Sequence, residues 1–466
     1  KRTGGAVTVA DGATSAEMKF NDTDYDRLPQ AIAIDQIQNQ DPNVGATPNN
    51  AVRTDVAVFS PLANLGGNSS QALQVTAIAY DQSGRPYPQI VTAACGLNGP
   101  VSGIWTAPAL NSFITPDRAG WGSFAAQIEG TPVPLIGISL TDGIAEAQHR
   151  ARHMQVLSRL DSYSVNVPIT TPGVPANDVA TFNLPDAAGN SLGASEMKAG
   201  SVLAFPRFTS GVYGNSQLAI TNTHPTQKAR VRIFFTGLAD SSLMTDTIIN
   251  LFPNQTTTIN PSDFAANQKG WILAMAIDAR ALPLNFNFLI GSARGKEQNG
   301  VAFGYNALAV AKNTPGSVPR NDDVQTSDLK FDDTNYDRLP ATLAINGVSS
   351  QLDNTSILGY ARPPANISDL VNIRGSVLST VYDDLLAQAS ATVGGLEVRL
   401  NTVKGSVNAP PITSTILKGH RGWMKLAPGS PIFAWTTNLP TAAFVTQANS
   451  SNWTGGMNGG STLHIL

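Results

Sequence analysis

A Gly-Trp pair occurs three times in this chain, and its spacing limits the architecture more than any other feature. The tryptophans are Trp121, Trp271 and Trp423, which stand 150 and 152 residues apart. Each is followed by an alternating run and then by an apolar run led by proline. Self-similarity at a constant period indicates tandem repeats. The 466 residues therefore predict three units, and the recurring tryptophans are predicted to belong to the structural core.

Each unit also contains segments in which apolar and polar residues alternate. The clearest lie in the middle unit, at 216–222 and 229–235, with a His-Pro turn between them. Alternation with a period of two indicates strands that bury one face. Frequent Gly and Pro leave little room for long helices. We therefore expect an all-β chain of three tandem antiparallel β-sandwich domains of the immunoglobulin-like kind, joined by proline-rich connections. The predicted units are 1–160, 161–312 and 313–466.

The segment 144–160 is ambiguous. Its composition is helical, but it aligns with the strand-like ends of the other units, and a short apolar run cannot be assigned by periodicity alone. His149 and His153 would share one face of a helix, where they could bind a metal. No His-Glu-x-x-His arrangement accompanies them, so a solvated pair is the preferred interpretation.

A second repeat opens the outer units. Residues 18–29 and 329–340 are identical at nine of twelve positions. The alternate acidic and amide side chains could aim oxygens at one Ca²⁺ ion. An EF-hand is excluded, because Arg27 stands where that loop needs glycine. The candidate Ca²⁺ ligands are Asp22, Asp24, Asp26, Asp333, Asn335 and Asp337; no other cofactor is expected.

Two other interpretations compete with the cation site. The acidic residues could cap turns or pair with the neighbouring arginines. Alternatively, the motif could dock one unit or one subunit on the next. The predicted interface residues are Tyr25, Arg27, Tyr336 and Arg338 of the motif, with Val7 and Val9 of the apolar, β-prone N-terminal segment.

Composition narrows the classes of partner. Charged residues make up 14% of the chain and the net charge is -3, against a typical charged fraction of about 25%. No basic patch is present, so nucleic acid is not an expected partner. No apolar run approaches the roughly 20 residues that a transmembrane helix needs. The chain begins at Lys1 without a signal-peptide pattern, so we expect a processed, extracellular or cell-surface protein.

The stretch 205–295 resembles the immunoglobulin-like β-sandwich repeats of secreted bacterial surface proteins. The resemblance consists of a strand, an Asn-Thr-x-Pro turn, an alternating strand, the turn 253–258, Gly-Trp and a proline-led strand. It implies a structural or adhesive role at the cell surface.

No nucleophile elbow or nucleotide-binding fingerprint lies in a suitable context. The chain is therefore predicted not to be an enzyme but a self-assembling structural protein of a surface layer, sheath or filament. One alternative is a carbohydrate-binding adhesin that uses exposed aromatic residues such as Trp105 or Trp453. A secreted hydrolase is the less favoured alternative.

Overall fold

A computed structural model describes most of the first two units and the strand backbones of the third. The described residues are 15–38, 52–60, 73–87, 90–94, 101–105, 119–143, 148–168, 195, 197–237, 244–298, 302–319, 329–337, 343–349, 353–361, 377–383, 388–393, 421–428, 432–440, 460–462 and 464–465. Within these ranges the regular structure consists of antiparallel strands and two 3-10 turns.

The strands of unit 1 and its flanks are β1 (Ser15–Phe20), β2 (Pro29–Gln38), β3 (Val52–Ser60), β4 (Leu73–Asp81), β5 (Ile90–Ala94), β6 (Val101–Trp105), β7 (Ala119–Ile128), β8 (Thr131–Val133), β9 (Ile136–Gly143), β10 (Gln148–His153), β11 (Gln155–Arg159) and β12 (Tyr163–Pro168). Those of unit 2 are β13 (Val202–Thr209), β14 (Gly214–Asn222), β15 (Ala229–Gly237), β16 (Met244–Leu251), β17 (Thr256–Ile259), β18 (Lys269–Ala276), β19 (Leu289–Glu297), β20 (Ala302–Asn306) and β21 (Leu308–Val310). Those of unit 3 are β22 (Leu343–Ser349), β23 (Asp353–Ala361), β24 (Val377–Asp383), β25 (Gln388–Val393), β26 (Arg421–Pro428), β27 (Ile432–Pro440), β28 (Gly460–Thr462) and β29 (His464–Ile465).

The same strand order occurs in every unit. We letter the strands of unit 2 A to I, from β13 to β21. In unit 1, strands A to F are β2 to β7 and strands G to I are β9 to β11. One sheet has the order D-C-F-A-I and the other E-B-G-H in units 1 and 2. Unit 3 repeats D-C-F-A-I with β25, β24, β26, β22 and β29, and B-G-H with β23, β27 and β28. The three-unit repetition inferred from Gly-Trp therefore reappears in the strand pairing.

The register of strand A against strand F also repeats. Ala33, Ala204 and Ala344 pair with residues that each stand two positions after a Gly-Trp tryptophan. A break in register follows at the next part of strand A in all three units. Gly120, the glycine before Trp121, has no room for a side chain, because a Cβ there would lie 2.0 Å from the Tyr80 carbonyl oxygen.

Each of the first two units encloses one hydrophobic cluster between its two sheets. In unit 2 the cluster includes Phe205 and Phe235 from the first sheet and Leu218 and Ile220 from the second. Unit 1 has a corresponding cluster with Ile32, Phe124 and Val58. Strand alternation correctly predicts these apolar faces, because one face of each strand must be buried.

Three expectations need correction or refinement. The immunoglobulin-like order is not observed: strand A pairs with F and I, whereas the first strand of an immunoglobulin sandwich pairs with the second. The successive strands B and C lie in opposite sheets, so alternation predicted the strands but not their partners. Within the ambiguous segment 144–160, residues 148–153 and 155–159 form strands H and I; sheet pairing overrides the helical composition there.

Candidate functional site

The first copy of the duplicated motif is a tight turn that follows β1. The Asn21 Oδ1 atom accepts hydrogen bonds from the backbone N–H groups of Thr23 (2.9 Å) and Asp24 (2.8 Å). Asp22 has a φ of 66°, and its carboxylate accepts the Arg27 N–H at 3.0 Å. The Tyr25 N–H then donates to the Lys19 carbonyl oxygen at 3.1 Å and closes the turn. Local Asx hydrogen bonding of this kind stabilises turns.

The second copy repeats the backbone hydrogen bonds of this turn, since the Tyr336 N–H donates to the Lys330 carbonyl oxygen at 3.1 Å. Asp332 takes the place of Asn21 and accepts the N–H groups of Thr334 (3.0 Å) and Asn335 (2.7 Å). The Asn335 N–H lowers the pKa of the Asp332 carboxyl below its ordinary value, because it stabilises the charged form. Asp333 has a φ of 64°, close to that of Asp22. In both copies a side-chain oxygen of the motif thus binds backbone N–H groups of the turn itself.

The surroundings of the two copies differ. Tyr25 is half-buried and Asp26 is exposed, whereas Tyr336 is 0% and Asp337 6% exposed. Burial raises the pKa of the Tyr336 hydroxyl. The second copy therefore lies in a packed junction, and the first copy is more accessible.

The junction joins the start of unit 3 to both ends of unit 2. The Lys198 Nζ atom lies 2.6 Å from an Asp337 carboxylate oxygen, which also accepts the Ala311 backbone N–H. The Asp337 N–H donates in turn to the Ala311 carbonyl oxygen at 3.0 Å. The buried Lys312 ammonium lies 5.9 Å from the centre of the Tyr336 ring. These contacts are those of a docking element.

Units 1 and 2 meet through Trp121. Its side chain is 2% exposed and stacks on Tyr80 with ring centroids 4.7 Å apart. The indole N–H donates to the Asn254 carbonyl oxygen of unit 2 at 2.7 Å. Trp121 also shares a small apolar cluster with Ala33 of strand A and Ile290 of strand G in unit 2. Trp121 therefore packs between units.

A buried ion pair lies beside this apolar contact. The Arg152 guanidinium lies 2.8 Å from the Asp35 carboxylate, and the two side chains are 8% and 1% exposed. Arg152 also reaches Asn306 of unit 2 at 3.4 Å, and the Asn306 amide donates to the His153 carbonyl oxygen at 2.7 Å. The sequence did not point to Asp35, Arg152 or Asn306 as contact residues. The available signal was Asp35, a charged side chain that directly follows the apolar run 31–34.

Of the remaining predicted interface, core and glycan-binding residues, the structure describes the side chain of Arg27. Arg27 pairs with Asp22 at 3.3 Å and Asp161 at 3.8 Å. Val7, Val9 and Arg338 lie outside the described residues, as do the side chains of Trp271, Trp423, Trp105 and Trp453. The assignment of these residues to an interface, a core or a glycan site stays a prediction.

The Ca²⁺ hypothesis stays a prediction as well. In the described part of the chain, no three His, Cys, Asp or Glu side chains are grouped so that they could hold a metal. The oxygens of Asp22 and Asp337 already bind N–H groups and cationic side chains. The described ranges also contain no helix long and apolar enough to cross a membrane.

Adding Ca²⁺ is expected to leave the thermal unfolding midpoint unchanged relative to EDTA. A cation would first have to displace the N–H groups and cationic side chains that already bind the Asp22 and Asp337 oxygens. Differential scanning fluorimetry of the full chain measures this, with Mg²⁺ as the control. An upward shift with Ca²⁺ that Asp22→Asn and Asp333→Asn together abolish would establish a cation site instead.

Comparison with known proteins identifies no family. No family model and no curated protein matches this chain. Among solved structures, the crystal structure of Thermotoga maritima 1070 aligns with 26% of this chain and 100% of its own, at 13% identity and a TM-score of 0.19. An α-L-rhamnosidase of Streptomyces avermitilis complexed with L-rhamnose aligns over 91% of this chain and 48% of its own, at 9% identity and a TM-score of 0.13.

Proposed function

We propose that this chain is an extracellular structural protein whose three tandem β-sandwich domains self-assemble into a surface layer, sheath or filament. The observation that carries the proposal is that the contact between successive units follows one rule. Strand A of unit 1 contacts strands B and G of unit 2, and strand A of unit 2 contacts strands B and G of unit 3. Strand H of each unit also contacts strand H of the next.

A contact that joins different surfaces of successive copies is heterologous. Such contacts continue into open polymers unless the rotation between copies closes a ring. Units that are built to stack by this rule are therefore suited to stacking between chains. The low charge of the chain, 14% of residues, supports the same function, because weakly charged surfaces repel one another little when they pack.

Self-assembly is tested with the full chain by sedimentation velocity and negative-stain microscopy. We expect the sedimentation coefficient to rise with protein concentration and the images to show filaments or sheets of repeating units. A single monomeric species across the whole accessible concentration range would contradict the proposal.

A further inference from the structure

Strand G of unit 1 carries its apolar residues on the outer face. Ile138 and Leu140 are 37% and 40% exposed, while Ser139 between them is 1% exposed. The Ser139 hydroxyl has no hydrogen-bond partner among the described residues. A sheet that simply faced water would show the opposite alternation, with apolar residues inward and polar residues outward. This inversion indicates that the outer face of strand G in unit 1 is built for contact; the outward residues of the neighbouring strand B, Asp55, Ala57 and Phe59, are partly buried.

The equivalent face of unit 2 shows what such a contact covers. The Gly137 carbonyl oxygen accepts the Met154 N–H at 2.9 Å, and the Gly291 carbonyl oxygen accepts the Ala307 N–H at the same distance. The two glycines are therefore equivalent, and Ile138 corresponds to Ser292, the residue after Gly291.

In unit 2 this face is covered by unit 1 at Ile290 and Ser292, whereas Arg294, the counterpart of Leu140, is only partly buried. Ile290 and Ser292 are both 0% exposed. Ile290 packs with Ala33 and Trp121, and the Ser292 carbonyl oxygen accepts a hydrogen bond from the Gln36 side chain at 3.4 Å. The covering element is strand A of the preceding unit, together with the Gly-Trp tryptophan of strand F.

Unit 3 carries the same covering element. In strand A, Ala344 occupies the register position of Ala33 and Ala204, which are both 0% exposed. Trp423 occupies the position of Trp121, two residues before the strand F partner of that alanine. A small residue at this position lets the backbones of adjoining units approach closely, and the tryptophan supplies apolar area. The strand register that positions this alanine and this tryptophan is thus present a third time.

We propose that the outer face of strands B and G in unit 1 binds strand A of unit 3 from a second copy of this chain, in a head-to-tail contact. The proposal rests on the proposed function and assigns its surfaces. Ile138 and Leu140 supply the receiving face, and the segment around Ala344 and Trp423 supplies the docking face. The occupant is a second copy because two successive unit pairs in this chain already use this pairing of surfaces.

The test compares two full-length variants, each altered on one face. The first is Ile138→Lys with Leu140→Lys, and the second is Ala344→Arg. Each is expected to weaken self-association by about tenfold or more, since an unpaired charge is poorly tolerated in a buried contact. Val212→Lys is the matched control, because Val212 is likewise an apolar residue and is 58% exposed in a turn of unit 2. Circular dichroism checks that every variant is folded.

Mixing the two variants separates a head-to-tail contact from other kinds of association. Each variant retains the face that the other has lost, so the mixture is expected to form dimers and nothing longer. Larger species in the mixture, or unaltered assembly of either folded variant, would overturn the assignment of surfaces while leaving self-assembly intact. A wild-type chain that is monomeric would overturn the proposed function as well. Crosslinks between units 1 and 3 of one monomeric chain would show that this face closes a ring instead.

Discussion

Asp35→Ala is expected to lower the free energy of unfolding of unit 1 by about 3–5 kcal/mol, because it leaves the Arg152 charge buried without its partner. The pair is almost inaccessible to water, with side chains 1% and 8% exposed. The Arg152 guanidinium also donates to the Asp35 backbone carbonyl oxygen at 2.9 Å. This second contact survives the substitution but cannot neutralise the charge. Urea-induced unfolding of the full chain, followed by tryptophan fluorescence, measures the effect.

Two controls isolate the buried charge as the cause. The double variant Asp35→Ala with Arg152→Met removes both charges and is expected to recover part of the lost stability. The Asp246→Ala variant breaks the Arg232–Asp246 pair, which is slightly shorter at 2.6 Å but has side chains 35% and 36% exposed. That change is expected to cost less than about 1 kcal/mol. Equal losses at the buried and exposed pairs would contradict the assignment of Asp35 to a desolvated contact.

Period and alternation were the most informative features of this sequence because both are local properties. Gly120 precedes Trp121 where strand F passes close to Tyr80. The strand pairing leaves no space for a side chain there, which explains the glycine before the tryptophan. Alternation likewise identified the strands around 216–222 and 229–235. Sheet membership was not predictable in the same way, because a period of two describes which residues share a face and not which strand lies beside them.

The functional surfaces were harder to find because core and interface residues have the same composition. Trp121 was predicted to belong to the structural core; it is 2% exposed, and its indole N–H is bonded to unit 2. In the sequence, Ile138 and Leu140 look like ordinary residues of a buried strand face. Only the structure shows that both side chains are exposed. The duplicated motif shows the same difficulty: its sequence is nearly constant, whereas Tyr25 is half-buried and Tyr336 is 0% exposed, because the second copy packs against Ala311 and Lys312 of unit 2.

Tyr336→Ala is expected to destabilise the junction between units 2 and 3 by about 3–5 kcal/mol, the usual cost of truncating a fully buried aromatic side chain. Its ring is 0% exposed, lies 5.7 Å from the Phe331 ring and faces the Lys312 ammonium. Tyr25→Ala is the matched control, because it makes the same change in the same turn. Since Tyr25 is half-buried, its loss should cost clearly less. Thermal unfolding and limited proteolysis between residues 311 and 337 report on the junction.

The Tyr336→Phe variant distinguishes packing from hydrogen bonding. The Tyr336 hydroxyl is buried without a hydrogen-bond partner in the described part of the chain. Removing it should therefore leave stability unchanged or slightly raised, because a buried unsatisfied polar group is itself unfavourable. If Tyr336→Phe destabilised the junction as much as Tyr336→Ala, packing would not explain the loss. The Tyr336 hydroxyl would then make a stabilising hydrogen bond to a group outside the junction contacts described above. If Tyr25→Ala and Tyr336→Ala were equally costly, both copies of the motif would be turn elements of their own units, and the second copy would not be a docking element.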